Sequence, residues 1–121
     1  MQNRDFLKAE LDRCVQILER NMERFGTDFP SACATKGKYR IKKNDDWTNG
    51  FWTGMLWMAW LYTKKQDFYD LAMKNMDSFK KRLEDHFILD HHDIGFLYSL
   101  SAVAAYEITG EERFKEMVLQ T

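Results

Sequence analysis

Residues 51–63 read Phe-Trp-Thr-Gly-Met-Leu-Trp-Met-Ala-Trp-Leu-Tyr-Thr and are apolar on nearly every side of a predicted helix. A helix that is hydrophobic all round has to be surrounded by protein, so these residues predict an inner helix of the fold. The stretch is shorter than the ~20 residues needed to cross a bilayer, which argues against a membrane span. The other elements are expected to pack around this helix.

Amphipathic segments lie on both sides of this inner helix. Residues 7–25 and 67–85 carry apolar residues at steps of three and four, so each predicts a helix with one buried stripe. Residues 94–109 are again mostly apolar and end at Gly110, a typical C-cap, and an amphipathic helix starts at residue 111. The side chains expected to face inward are Leu7, Leu11, Cys14 or Val15, Leu18, Met22 and Phe25, then Phe68, Leu71, Ala72, Met76, Phe79 and Leu83, and finally Phe114, Met117 and Val118.

The sequence also contains an internal repeat. Its matches are Gly50-Phe51 with Gly95-Phe96 and Ala59 with Ala104, 45 residues apart, and Thr63 and Phe68 with Thr109 and Phe114, 46 residues apart. Periods of this size are typical of stacked helical hairpins. One-sided outer helices alternate with all-sided inner ones, which favours a toroid of αα-hairpins over a four-helix bundle, whose helices would be alike. The predicted fold class is therefore all-α.

Residues 27–46 lack this periodicity. They contain Pro30, Gly37 and a basic run at 36–43, and they predict a long loop with a short extended piece around 39–41. The basic run is interpreted as a solvated loop that is also able to attract an anionic sugar.

Composition limits the possible functions. The 121 residues are enough for one domain, predicted to span 1–121, and 18 basic against 19 acidic residues exclude a strongly basic nucleic-acid binder. Cys14 and Cys33 are too few for a disulfide scaffold, and no apolar segment of a secretory signal follows the polar N-terminus. We therefore expect a cytoplasmic protein with no nucleic-acid or membrane partner.

The chain is expected to be part of a larger helical barrel. Residues 111–121 end within a helical pattern, and the inner helices carry more apolar surface than the predicted hairpins can cover. Large exposed apolar patches indicate a partner. Either further hairpins or self-association would cover this surface.

Polar residues precede each inner helix. Residues 44–50 read Asn-Asp-Asp-Trp-Thr-Asn-Gly, and residues 90–93 read Asp-His-His-Asp. Equivalent loops of a hairpin toroid emerge on the same rim, so we expect both groups to meet at one opening. Carboxylates, imidazoles and a tryptophan at a concave opening are typical of a sugar site, where rings stack on the sugar and carboxylates move protons.

Simpler interpretations remain for these residues. Asp46, Thr48 and Asp93 are suitable helix N-caps. Residues 90–93 are also a possible metal site, although adjacent histidines point in different directions and the paired spacing of metal ligands is missing, so no metal or cofactor is predicted. Helical spacing assigns Trp52, Trp57 and Trp60 to the core, whereas Trp47 precedes the helix and is free to line a site.

Two segments resemble the unsaturated glucuronyl hydrolases, glycoside hydrolase family 88. Residues 46–57, Asp-Trp-Thr-Asn-Gly-Phe-Trp-Thr-Gly-Met-Leu-Trp, are similar to a DWTDGFWSGxLW-type segment of that family. Residues 89–101, Leu-Asp-His-His-Asp-Ile-Gly-Phe-Leu-Tyr-Ser-Leu-Ser, match a second segment almost letter for letter. The resemblance covers essentially the whole chain, and the family's enzymes are about three times longer.

The resemblance implies the N-terminal part of an (α/α)6 toroid. It further implies a bacterial enzyme that acts on the unsaturated oligosaccharides left by polysaccharide lyases on glycosaminoglycans, without a metal. In this family an aspartic acid protonates C4 of the C4=C5 vinyl ether, water adds at C5, and the resulting hemiketal collapses to release the sugar. This departs from the usual two-carboxylate scheme of glycosidases.

The resemblance also assigns residues. Asp93 matches an essential aspartate beside the reacting ring, His92 a pocket histidine, and Trp47 a tryptophan that stacks under that ring. The proton donor is expected beyond residue 121, which leaves the activity of the isolated chain open. The alternatives are a non-catalytic helical domain that binds sugars or partners, and the related unsaturated rhamnogalacturonyl hydrolases.

Overall fold

The computed structural model describes residues 2–121. In chain order its elements are α1 (Gln2–Phe25), β1 (Phe29–Thr35), β2 (Lys38–Lys42), α2 (Asn49–Thr63), α3 (Gln66–Glu84), α4 (Ile94–Tyr98), a π-helical segment (Ser99–Val103), α5 (Ala104–Thr109) and α6 (Glu112–Leu119). The predicted order of helices is confirmed. The sequence did not predict the two strands, which lie between α1 and α2.

Two helical hairpins make up the body of the protein. The first is α2 with α3, and the second is the continuous run of α4, the π-helical segment and α5 with α6. The inner members, α2 and the 94–109 run, pack against each other, as the apolar pattern predicts. The predicted stripe of α3 is buried from Phe68 to Leu83, and Phe114 and Met117 are buried on α6.

The internal repeat is visible in the hydrogen bonds that end each inner helix. The Thr63 hydroxyl donates to the Ala59 carbonyl at 2.8 Å and accepts from the Lys65 N–H at 3.1 Å. The Thr109 hydroxyl donates to Ala105 at 2.7 Å and accepts from the Glu111 N–H at 3.1 Å. Each threonine is followed by a residue in the left-handed conformation, and Gly110 is the predicted C-cap.

The π-helical segment explains why the repeat measures 45 residues at one end and 46 at the other. A π-helical turn accommodates one more residue than an α-helical turn, and this one lies within the second inner helix only. The structural equivalent of Ala59 is consequently Ala105, so the predicted match with Ala104 is wrong by one position. The inserted residue lies between Phe96 and Thr109, because the offset between the two repeats is 45 residues at Phe96 and 46 residues at Thr109.

Residues 29–42 form an antiparallel β-hairpin, which corrects the prediction of a long loop. Phe29 pairs with Lys42 and Thr35 with Lys38, with an irregularity between Pro30 and Ala34. The turn at Lys36 and Gly37 has positive φ at both positions, as the tightest hairpin turns require. The sequence lacks a strict alternation here because most of the hairpin is exposed, so there is little apolar patterning to detect.

The first helix is buried less than its pattern predicts. Leu18 and Phe25 are buried, but Leu7 and Leu11 are exposed. α1 has 24 residues and α2 has 15, and the end of α2 meets α1 where the Tyr62 hydroxyl donates to Asp12 at 2.7 Å. The first turns of α1 therefore extend past α2 and leave Leu7 exposed, whereas Leu11 lies on an open groove between α1 and α2. Among residues 2–121, no helix combines the length and apolar character of a membrane span.

Candidate functional site

Two turns, one before each inner helix, lie side by side at the same end of the protein. We call residues 43–48 the Trp47 turn and residues 85–93 the Asp93 turn. The Trp47 ring lies 5.8 Å from the Phe51 ring and 6.3 Å from the Phe96 ring, and Phe51 stacks on Phe96 at 6.2 Å and 29° between planes. These three residues, named the aromatic cluster below, show that the starts of the two inner helices lie next to each other, as the repeat predicts.

A glycine lets the two inner helices approach closely at this end. A β-carbon at Gly50 would lie 2.5 Å from the Leu97 carbonyl oxygen and 2.8 Å from the Leu97 α-carbon. Real β-carbons do not approach backbone atoms this closely, so only glycine fits at position 50 without displacing α4. The first residues of α2 and α4 are thereby held together, which positions Phe51 beside Phe96.

Trp47 stands out from the protein at this opening. It is 40% exposed, whereas Trp52 and Trp57 are buried and Trp60 packs against the core, as the helical spacing predicts. The backbone N–H of Trp47 donates to the Asp46 carboxylate at 2.8 Å, which stabilises the backbone of the turn at these two residues. Trp47 therefore has a ring face available to a ligand.

Asp93 lies at the N-terminus of α4 with its side chain about one quarter exposed. The His92 imidazole, 92% exposed, has its Nε2 atom 3.4 Å from the Asp93 carboxylate. Asp93 is the N-cap residue of α4, and Phe96 of the aromatic cluster lies three residues further along the chain. The predicted site residues Trp47, His92 and Asp93 thus lie just before two neighbouring inner helices, and their assignment to one site stays a prediction.

The capping interpretation of these residues is not supported. Thr48 and Asp93 hold the N-cap positions of α2 and α4, yet within the described chain neither side chain makes a capping hydrogen bond. The Asp46 carboxylate accepts from the next residue's N–H rather than from α2. Within residues 2–121 the Asp93 carboxylate is therefore not used to cap α4.

The turn does not assemble a metal site. Over residues 2–121 no three His, Cys, Asp or Glu side chains are grouped so as to hold a metal ion. His91 turns away from its neighbour, since its Nε2 atom lies 3.1 Å from the Ile88 carbonyl oxygen.

Sequence reasoning missed two residues of this site, Phe51 and Phe96. Both were assigned to apolar inner helices, but both are exposed, Phe96 by 54%. The signal was present in the repeat, because each phenylalanine follows the glycine that opens its helix. Together with Trp47 they form an apolar surface beside a carboxylate, an arrangement that suits the CH face and hydroxyl groups of a sugar ring.

Known proteins share this arrangement of helices. The sequence profile of Glycosyl Hydrolase Family 88 matches residues 21–121. An unsaturated chondroitin disaccharide hydrolase of Streptococcus pneumoniae is 42% identical over 91% of this chain and 28% of its own length. The crystal structure of an unsaturated glucuronyl hydrolase from Streptococcus agalactiae superposes with a TM-score of 0.85 at 36% identity, over 93% of this chain and 30% of that one. A variant of that enzyme, complexed with dGlcA-GalNAc6S, gives the same score and identity, over 93% of this chain and 31% of its own.

The similarity confirms the fold class: the αα-hairpins are part of an (α/α)6 toroid. The chain spans under a third of the length of these relatives.

Proposed function

Because this chain belongs to Glycosyl Hydrolase Family 88, we propose that it is part of an enzyme that releases the unsaturated glucuronic acid from short oligosaccharides. The substrates are the unsaturated oligosaccharides that polysaccharide lyases produce when they cleave glycosaminoglycans. The observation that carries the proposal is the exposed aromatic cluster at the start of α4, the helix preceded by Asp93, whose side chain makes no capping hydrogen bond within residues 2–121. The relatives support it, since one is named a chondroitin disaccharide hydrolase and another is complexed with dGlcA-GalNAc6S.

The proposed reaction is hydration of the C4=C5 vinyl ether rather than direct displacement at the anomeric carbon. A proton is added to C4, the oxygen of water bonds to C5, and the hemiketal formed there collapses to release the next sugar. Protonation leaves positive charge on C5 and the ring oxygen, and a carboxylate beside the ring stabilises that charge. Asp93 is assigned to binding and orienting the ring, Trp47 to stacking beneath it, and His92 to the sugar's polar groups.

The proposal is tested with the protein expressed from its complete reading frame. We expect it to remove the ultraviolet absorbance of an unsaturated chondroitin disaccharide and to leave the saturated disaccharide intact, because hydration requires the double bond. Cleavage of the saturated sugar would contradict the mechanism. Activity confined to an unsaturated rhamnogalacturonyl disaccharide would overturn the substrate assignment, and binding without turnover would indicate a non-catalytic sugar-binding protein.

The aromatic cluster gives a first mutational prediction. Phe96→Ala removes one stacking surface, worth about 1 kcal/mol, and is expected to raise KM about five-fold with a smaller change in kcat. Steady-state kinetics on the unsaturated disaccharide measure this. Phe6→Ala is the matched control, since Phe6 is exposed at the far end of α1, and equal KM values for the two variants would contradict a role for Phe96.

We place the reaction in the bacterial cytoplasm. Cys14 and Cys33 are both exposed thiols, and a reducing compartment keeps such thiols unpaired. The relatives named above come from bacteria.

An exposed apolar face supports the proposal that residues 1–121 form a single helical unit that self-associates when isolated. A groove of about 550 Å³ between α1 and α2 is lined by Leu11, Cys14, Val15, Leu18, Met55, Met58, Ala59, Leu61 and Tyr62. The relatives are more than three times as long, so they have further sequence to cover such a face. In the isolated 121-residue chain, we expect a second copy of the chain to cover this apolar face.

Size-exclusion chromatography with light scattering tests this. We expect the 121-residue chain to run as a dimer or larger, and the double variant Met58→Lys with Leu61→Lys to run as a monomer. Leu119→Lys, at an exposed position on α6 outside the groove, should leave the assembly unchanged. A monomeric wild-type chain at micromolar concentration would contradict the proposal.

A further inference from the structure

Arg82, in the last turn of α3, is a buried arginine that contacts both turns of the site. Only 2% of the residue is exposed. Its Nε atom donates to the Phe87 carbonyl at 3.1 Å and its Nη2 atom to the Ile88 carbonyl at 2.8 Å, both in the Asp93 turn. One edge of the guanidinium group, formed by Nε and Nη2, therefore binds the Asp93 turn.

The remaining terminal nitrogen of Arg82 binds the Trp47 turn. Nη1 donates to the Asp46 carbonyl and to the Asn44 side-chain oxygen, each at 3.0 Å. Asn44 is itself buried, and its side-chain oxygen lies 3.0 Å from the side-chain amide group of Asn49, so this contact extends to the start of α2. The Asp46 carbonyl belongs to the peptide unit that leads directly into Trp47.

A guanidinium is planar and holds its N–H groups in a fixed fork, so carbonyls bound to its two ends are held at a fixed separation. Burial lowers the pKa of Arg82, and the nearby Tyr98, Asp45 and Asp46 offset only part of this effect. The group stays protonated at neutral pH, because an arginine titrates far above it. A lysine has its three donors on a single atom and cannot reproduce the fork across both turns.

We propose that Arg82 is a positioning residue that holds the Trp47 turn and the Asp93 turn in the relative placement the substrate requires. It acts on the ring that stacks under the sugar and on the carboxylate beside it, and it touches neither. This inference rests on the proposed function for its effect on turnover. Its effect on the two turns is independent of that function.

The first test measures amide hydrogen exchange in the complete protein. Arg82→Lys is expected to speed exchange in residues 43–48 and 85–93 together, with α1 and α6 unchanged. Lys74→Met, which removes an exposed charge from the same helix, should leave both turns as in the wild type. Faster exchange in one turn only, or across the whole protein, would overturn the proposal, since the residue would then stabilise one turn or the fold at large.

The second test measures kinetics per folded molecule, at a temperature where circular dichroism shows every variant folded. Arg82→Lys is expected to raise KM and lower kcat/KM by about ten-fold or more, because the arginine's hydrogen bonds to the turns are lost. In a Trp47→Ala background the same substitution should cost less than about three-fold, since the ring it positions is gone. Unchanged KM, or effects that simply multiply, would contradict positioning. A wild-type protein inactive on the unsaturated disaccharide would refute the proposed function, and the exchange measurement would still decide the role of Arg82.

Discussion

Asp93→Asn is expected to nearly abolish the loss of ultraviolet absorbance from an unsaturated disaccharide, with kcat/KM falling by about 100-fold or more, because the carboxylate that stabilises the charge of the transition state is lost. Asparagine has almost the same shape as aspartate but carries neither a charge nor a transferable proton. The side chain of Asp93 is about one quarter exposed. Within residues 2–121 it makes no capping hydrogen bond to α4. Its removal should therefore leave the fold intact and act on the reaction.

Three measurements separate this effect from misfolding. The variant should unfold within a degree or two of the wild type and should still bind the disaccharide in a calorimetric titration. Asp77→Asn makes the same chemical change at an exposed position on α3 and should retain full activity. Retention of most activity by Asp93→Asn would remove this residue from the catalytic set.

Gly50→Ala is expected to destabilise the complete protein by about 3 kcal/mol, at the upper end of the usual cost of overpacking. The added methyl would lie 2.5 Å from the Leu97 carbonyl oxygen and 2.8 Å from the Phe96 carbonyl oxygen. Because those are backbone atoms of α4, no side chain can rotate away, and the two inner helices have to separate. Urea unfolding measures the loss, and KM should rise as well, since Phe51 and Phe96 move apart.

The matched control is Gly95→Ala, at the equivalent position of the repeat, with both substitutions compared in the 121-residue chain, because the next hairpin of a toroid would lie beside Gly95 as α4 lies beside Gly50. Apart from chain neighbours, a β-carbon there meets no atom of residues 2–121 within 4 Å. We expect no loss of stability and a gain of up to about 1 kcal/mol from the better helix former. Equal destabilisation by the two substitutions would show that the close approach at Gly50 does not hold the helices in place.

Much of the fold could be predicted from local chemistry. The all-round apolar residues 51–63 indicated an inner helix, the one-sided stripe of 67–85 an outer one, and Gly110 the end of the second inner helix. These features depend on hydrophobic periodicity and capping, which act over a few residues. The same patterns located Trp47 and Asp93 at the starts of inner helices, and the repeat indicated that those starts share one rim.

The tertiary structure decided what depends on distant neighbours. The repeat makes Gly50 and Gly95 look equivalent, yet within residues 2–121 only Gly50 faces the backbone of another helix. Arg82 shows no special pattern in the sequence, because its importance comes from carbonyls supplied by two separate turns. The exposure of the first turns of α1 depends on the length of the helix beside it. The exposure of Phe51 and Phe96 depends on which helix faces lack a neighbour within residues 2–121. Periodicity records which face of a helix is apolar, but only packing between elements determines whether that face is covered.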